Sequence, residues 1–254
     1  MTSRPIRRAV PLRPHALVLP YDAILLDAGN TLVFVDGGRV LTLLREHGAD
    51  IDPIGFEALE RDARLALSRR VGEGATGDEN QVWRDYFLCL IAGSGVPNHR
   101  IAEAGESIKR SHASRHLWTF VREGTHDAIA ALRARGYRTA VVSNADGRVE
   151  GLLRERGLTE HLEFVLDSEV VGIQKPDRRI FDLAVERLAL PAERVLYVGD
   201  IYAVDVVGAR GAGLEAVLVD PFDAFGHMED VPRIPHVVAL PEWLARLEGS
   251  ARSE

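Results

Sequence analysis

The second half of the chain repeats one pattern: a short apolar, β-branched run, then a segment with apolar residues every three or four positions. The runs are YRTAVVSNA (137–145), LEFVLDSE (162–169), RVLYVGD (194–200), LEAVLVDP (214–221) and PHVVALP (235–241). Each reads as a buried strand, and DAILLD (22–27) supplies a first one. Between them THDAIAALRARG, DGRVEGLLRERG and DRRIFDLAVERLAL read as helices, with Gly136 and Gly157 at the ends of the first two. Near-continuous apolar strands alternating with helices require both faces of a sheet to be covered. The expected class is therefore α/β, a doubly wound, Rossmann-like parallel sheet. Ligands of such sheets bind at the carboxyl ends of the strands.

Residues 39–116 break the pattern, because their apolar positions recur only with helical period. RVLTLLREHG, PIGFEALERDARLALSRRV, QVWRDYFLCLIAGSG and HRIAEAGESIKRSHASRH predict four helices, with GEGATGDEN as a link. VFVDGGRV, just before them, reads as a small hairpin around Asp36, Gly37 and Gly38. The expected organisation is a flexible arm at 1–20, an α/β core from 21–38 and 117–254, and a helical cap at 39–116.

A net charge of −7 offers no footprint for nucleic acid or an anionic membrane, and no run approaches the ~20 apolar residues of a spanning helix. The arginine-rich start is broken by Pro11, Pro14 and Pro20, which argues against an export signal. The single cysteine, Cys89, sits among apolar neighbours and reads as buried and inert. These features predict a cytoplasmic protein acting on small molecules, without nucleic-acid or membrane partners, as a monomer or homodimer.

Polar residues gather at the strand ends: Asp27, then Ser143 and Asn144, then Lys175 on a loop, then Asp200 with Asp205 five residues later. Of 31 basic residues only Lys109 and Lys175 are lysine, so a compact ammonium at 175 stands out. Carboxylates, a hydroxyl and an ammonium converging on one sheet edge suit a divalent cation and a phosphate held together. His112, His116 and His126 have no recognisable ligand spacing and read as solvated or capping groups. Trp83, Tyr86 and Phe87 read as packing within the cap.

In order and spacing, ILLDAGNTL, VVSN, GIQKPDRRIF and VLYVGDIYAVD resemble the four motifs of the haloacid dehalogenase superfamily, and the match covers nearly the whole chain. The resemblance implies a helical type 1 cap and a magnesium-dependent hydrolase, a phosphatase of small phosphorylated metabolites. Asp27 would be the nucleophile that forms an aspartyl-phosphate. Ser143, Asn144 and Lys175 would bind the phosphoryl group. Asp27, the Gly29 carbonyl, Asp200 and Asp205 would surround Mg2+, with Asp205 alternatively orienting Lys175. Arg148, on the loop after the second motif, would reach an anionic substrate.

The departure is Gly29, where family phosphatases carry a second acid that protonates the leaving oxygen and then activates water. Such general acid–base work is worth ~10²- to 10⁴-fold. Its loss implies a good leaving group, an acid such as Glu79 or Asp85 or an ordered water supplied from the cap, or a catalytically weak phosphate-binding protein. Asn30 replaces a usual glycine, at small cost if the backbone there is left-handed, and Thr31 is expected to hydrogen-bond the loop. Dehalogenase and phosphonate-cleaving branches also lack the second acid. The acidic fourth motif speaks against the first, and the polar setting of Lys109 against a Schiff base in the second.

Overall fold

Residues 20–72, 79–226 and 229–250 are described by the computed structural model. Eight strands form: β1 (Ala23–Leu26), β2 (Phe34–Val35), β3 (Trp118–Phe120), β4 (Arg138–Ser143), β5 (Val165–Asp167), β6 (Val195–Gly199), β7 (Glu215–Val219) and β8 (Arg233–Ile234). Six make one parallel sheet in the order β5-β4-β1-β6-β7-β8. The chain leaves β1 for β4 on one side and returns to β6 on the other, so β1 sits at the point where the winding reverses.

Alternate residues of each strand point to opposite faces, and both faces are buried. Ile24, Leu26, Val141, Leu196 and Val198 pack in one apolar layer, and Ala23, Leu25, Ala140, Val142 and Tyr197 in the other. The helices, in chain order, are α1 (Gly37–Glu46), α2 (Pro53–Gly72), α3 (Glu79–Gly93), α4 (Ile101–Ser114), α5 (Thr125–Ala134), α6 (Val149–Glu155), α7 (Ser168–Val171), α8 (Arg178–Leu188), α9 (Val207–Gly211) and α10 (Leu240–Ser250). Ile129 and Leu132 of α5 and Leu244 of α10 join the first layer. Ile180, Phe181, Ala184 and Leu188 of α8 join the second. This is the α/β, doubly wound sheet expected.

Helices α1 to α4 form the insertion, and both of its junctions with the sheet pass through one antiparallel pair, β2 with β3. Arg39 ties these junctions together. Its guanidinium donates to the carbonyls of Arg115 (2.9 Å), His116 (3.2 Å) and Ser111 (2.7 Å). The expected hairpin around Asp36 does not form. Its first strand pairs with residues from the far end of the insertion, and Asp36 instead caps α1, accepting from Arg39 N at 3.0 Å. Gly37 and Gly38 are the first residues of that helix, a start whose cap is worth about 1 kcal/mol.

A second correction concerns PHVVALP. Only Arg233–Ile234, just before it, adds a strand, while Val237–Ala239 is a 3₁₀ turn leading into α10. Val237, Leu240 and Leu244 are buried at helical spacing, which a short apolar run does not separate from a strand. The expected arm falls almost wholly outside the described residues, as does most of the link GEGATGDEN. Cys89 is exposed, contrary to its apolar neighbours in sequence: it lies on the outward side of α3, while Tyr86, Leu90 and Ile91 face in. No helix among the described residues is long and apolar enough to cross a membrane.

Candidate active site

Four loops at the carboxyl edge of the sheet carry the site. Asp27 follows β1 directly, its amide bonded to the Val198 carbonyl of β6 at 2.8 Å. The chain then turns tightly, with the Leu32 and Val33 amides both bonded to the Ala28 carbonyl, and Asn30 takes a positive φ of 53°. Asparagine tolerates that left-handed conformation better than most side chains, so it fits where a glycine is usual. The Thr31 hydroxyl is buried without a hydrogen-bond partner among the described residues, so the loop bond expected of it is not made.

Lys175 stands at the centre. Its Nζ is buried and donates to Asp27 Oδ1 (2.7 Å), Asp205 Oδ1 (2.8 Å) and the Tyr197 hydroxyl (2.8 Å). Three acceptors around one ammonium use all its protons. Burial opposes its charge, but Asp205 and Asp27 outweigh this and hold its proton well above the ordinary lysine range. Asn144 fixes the backbone that carries it, with Asn144 Nδ2 donating to the Lys175 carbonyl (3.0 Å) and Lys175 N donating to Asn144 Oδ1 (2.8 Å). Ser143 is buried at the end of β4, and its hydroxyl makes only a long contact, 3.4 Å, with the Asn144 carbonyl.

Asp205 lies on a stretch of π-helix, Tyr202–Val206, which turns its side chain back under β6. There its Oδ2 accepts from Ile201 N at 2.9 Å, so both oxygens are engaged. A Cβ at Gly199 would collide with this carboxyl group, which explains the glycine before Asp200. Oxygens of Asp27, Asp200 and Asp205 all lie within 4.8 Å of one another. Burial raises the Asp27 carboxyl to about 6, with Lys175 pulling the other way and Asp205 adding to the rise. Burial, then Asp27 and Asp205, push Asp200 up to about 8. Carboxylates held this close and this dry resist ionising, and a divalent cation that prefers hard oxygen ligands relieves that cost, so the donor set fits magnesium.

Several contributors were not visible in the sequence. Tyr197 looked like one more apolar strand residue, yet its hydroxyl meets Lys175 and donates to the Val142 carbonyl at 2.9 Å. The signal was a lone hydroxyl in an aliphatic strand. Asp167 and Ser168 shape the loop after Ser143: Asp167 accepts from the amides of Gly147 (3.1 Å) and Val149 (3.3 Å), and Ser168 Oγ from Ala145 N (3.0 Å).

Arg148 lies on that loop, and its hydrogen bonds run to Asp146 Oδ2 (2.9 Å from Nε), to the His112 and Ala113 carbonyls (3.1 and 3.4 Å) and to the His112 ring (2.8 Å). His112, His116 and Asp146, which sequence spacing did not connect, come together here at the return from α4. His112 and Arg148 hold the Asp146 carboxyl well below its usual range. Both histidine Nδ1 atoms accept backbone amides, from Leu117 (3.3 Å) and Trp118 (3.1 Å), which places the ring proton of a neutral His116 on Nε2. With Arg148 against them as well, these three do not suit a cation.

Beside Gly29 there is no second acid among the described residues. A side chain starting there would meet only Trp118, with Nε1 at 3.8 Å and Cδ1 at 4.0 Å from the Cβ position. The side chain of Glu79 is outside the described residues, and Asp85 is half-buried on α3.

The chain belongs to the haloacid dehalogenase-like hydrolase family, whose model matches residues 21–213. It is 33% identical over 240 residues to the mouse haloacid dehalogenase-like hydrolase domain-containing protein 3, covering 89% of this chain and 94% of that one. It is 29% identical over 218 residues to a ribulose-1,5-bisphosphate 5-phosphatase of Halopiger xanaduensis, covering 83% and 90%. The fold is shared with the magnesium-bound HAD-hydrolase YfnB of Bacillus subtilis, at a TM-score of 0.65 and 23% identity over 88% of this chain and 98% of that one.

Proposed function

We propose that this hydrolase is a magnesium-dependent phosphatase acting on a small phosphorylated metabolite through an aspartyl-phosphate on Asp27. The observation that carries the reading is the ammonium of Lys175, shared between Asp27 and Asp205 beside the half-buried carboxylate of Asp200. A nucleophilic carboxylate that must approach an anionic phosphate needs compensating positive charge, and Lys175 supplies part of it.

Asp27, the carbonyl of Gly29 and Asp200 would hold magnesium, with Asp205 at the edge of the set. When bound, the ion supplies charge neutralisation to the phosphoryl oxygens. Asp27 attacks phosphorus in line, Ser143 donates its hydroxyl to a phosphoryl oxygen, and Lys175 keeps its proton while neutralising charge on nucleophile and phosphate. Asp205 and Tyr197 hold Lys175 in place, and Asn144 fixes its backbone. The helical cap, hinged at β2 and β3, excludes water and reads the rest of the substrate.

Two enzymatic alternatives are weaker. The acidic set around Asp27 has no purpose in metal-free dehalogenation. The other lysine, Lys109, is exposed and paired with Glu106 at 2.8 Å, not set in the apolar pocket that Schiff-base chemistry requires. Gly29 favours one further reading, a phosphate-binding protein that has lost turnover. Release of phosphate from a panel of phosphate esters with and without magnesium tests the proposal. Turnover that Asp27→Asn abolishes supports it, and tight phosphate binding with no turnover of any ester contradicts it.

A further inference from the structure

Trp118 is 7% exposed, and its Nε1–H has no hydrogen-bond partner among the described residues. An indole N–H is a donor only, and a buried donor left unmet is costly, so such atoms in native structures ask for an explanation. This one stands 3.8 Å from the position at which a Gly29 side chain would begin.

The indole is held in place on several sides. Trp83 and Phe87 of α3 meet it edge-on at centroid distances of 4.5 and 5.9 Å, and His112 and His116 both lie at 5.8 Å. The Trp118 amide donates to His116 Nδ1, and Trp118 is paired with Val35 in the hinge. A donor fixed in this way, aimed beside the nucleophile's loop, is preorganised for an acceptor that arrives with a ligand.

We propose that the Trp118 indole N–H hydrogen-bonds the leaving oxygen of the substrate, and so selects phosphates whose leaving group departs as a stable anion: acyl, enol or aryl phosphates and phosphoric anhydrides. This rests on the phosphatase reading of the same site. An Asp27 oxygen bonds to phosphorus and the bond from phosphorus to the leaving oxygen breaks. Its electron pair stays on that oxygen, which leaves as an anion stabilised by the N–H. No proton is transferred, because an indole does not release one at neutral pH. Water then attacks phosphorus, the electron pair of the broken bond returns to Asp27, and the proton of the water goes to the released phosphate. Poor leaving groups such as alkoxides, which require protonation, are excluded.

The test compares kcat/KM across aryl and alkyl phosphates of graded leaving-group acidity for the wild-type protein, Trp118→Phe, and a variant with 3-benzothienylalanine at 118, which keeps the ring shape and replaces N–H by sulfur. Loss of one such donor lowers kcat/KM ~10²-fold. The loss should grow as the leaving group becomes more basic, steepening the dependence in both variants. A uniform loss with the same slope, or none in the folded benzothienyl variant, overturns the inference. A second readout needs no turnover. In Asp27→Asn protein with magnesium and phenyl phosphate, the Trp118 indole proton resonance should move downfield, and an unmoved resonance in saturated protein overturns the inference. A wild-type protein that hydrolyses no ester at all instead overturns the phosphatase reading, and the indole resonance still decides the role of Trp118.

Discussion

Placing an acid at position 29 should convert the leaving-group preference of this protein. Gly29 is not among the residues with positive φ, so a side chain there is not strained. The new Cβ of Gly29→Asp meets only Trp118 Nε1 at 3.8 Å and Cδ1 at 4.0 Å, ordinary contacts, and the added carboxyl group lies within reach of the unmet indole donor. General acid catalysis is worth ~10²- to 10⁴-fold. The hydrogen bond from Trp118 favours the ionised carboxylate, so less of it carries the proton that an acid must donate, which places the gain near the lower end, ~10²-fold in kcat/KM for alkyl phosphates. Aryl phosphates, which leave without a proton, should gain little. A further carboxyl group beside Asp27, Asp200 and Asp205 should lower folding stability by ~1–3 kcal/mol. Steady-state assays of phosphate release from a matched alkyl and aryl ester, with urea unfolding in parallel, measure both effects. Equal changes for the two esters in a folded variant would refute the idea that position 29 lacks only its proton donor.

Three further outcomes follow from the same geometry. Lys175→Met leaves Asp27 and Asp205 buried without their shared cation, and should cost ~3–5 kcal/mol in urea unfolding at pH 7 and abolish turnover. A stable, active variant would contradict the arrangement. Chelation by EDTA should stop turnover and lower the melting temperature, with magnesium restoring both, whereas indifference to EDTA would exclude magnesium at the acidic set. His116 is held near 4 by burial first and by His112 next, below its ordinary 6.5, so between these values the unfolded chain binds more protons than the folded one. Stability is therefore full above about 6.5 and falls as pH drops toward about 4, by ~1–3 kcal/mol for this group. Replacing His116 with Gln should flatten that window in urea unfolding at pH 7 and 5, and an unchanged slope would contradict it.

The sheet was legible because its strands are buried on both faces, so hydrophobic runs alone mark them. What failed was pairing across long separations. Phe34 and Val35 look like half of a hairpin, and only the folded chain brings Trp118 beside them. The same holds for the site. The charged residues announce themselves at strand ends, whereas Tyr197 and Trp118 read as packing residues whose polar atoms matter only once their neighbours are known. Cys89 failed for a related reason: apolar neighbours in sequence are spread around a helix, and only some of them face in.

In the proposed reaction Asp27 carries the phosphoryl group. Without a base at position 29, attack of water on the aspartyl-phosphate is slowed along with leaving-group departure, so the intermediate should accumulate during turnover of an aryl phosphate. Acid quenching during the burst, followed by intact-mass and peptide mass spectrometry, reads this directly. One phosphoryl group should be found on the peptide containing Asp27, removed by hydroxylamine and absent from Asp27→Asn. Steady phosphate release with no phosphorylated peptide, and activity surviving in Asp27→Asn, would contradict it.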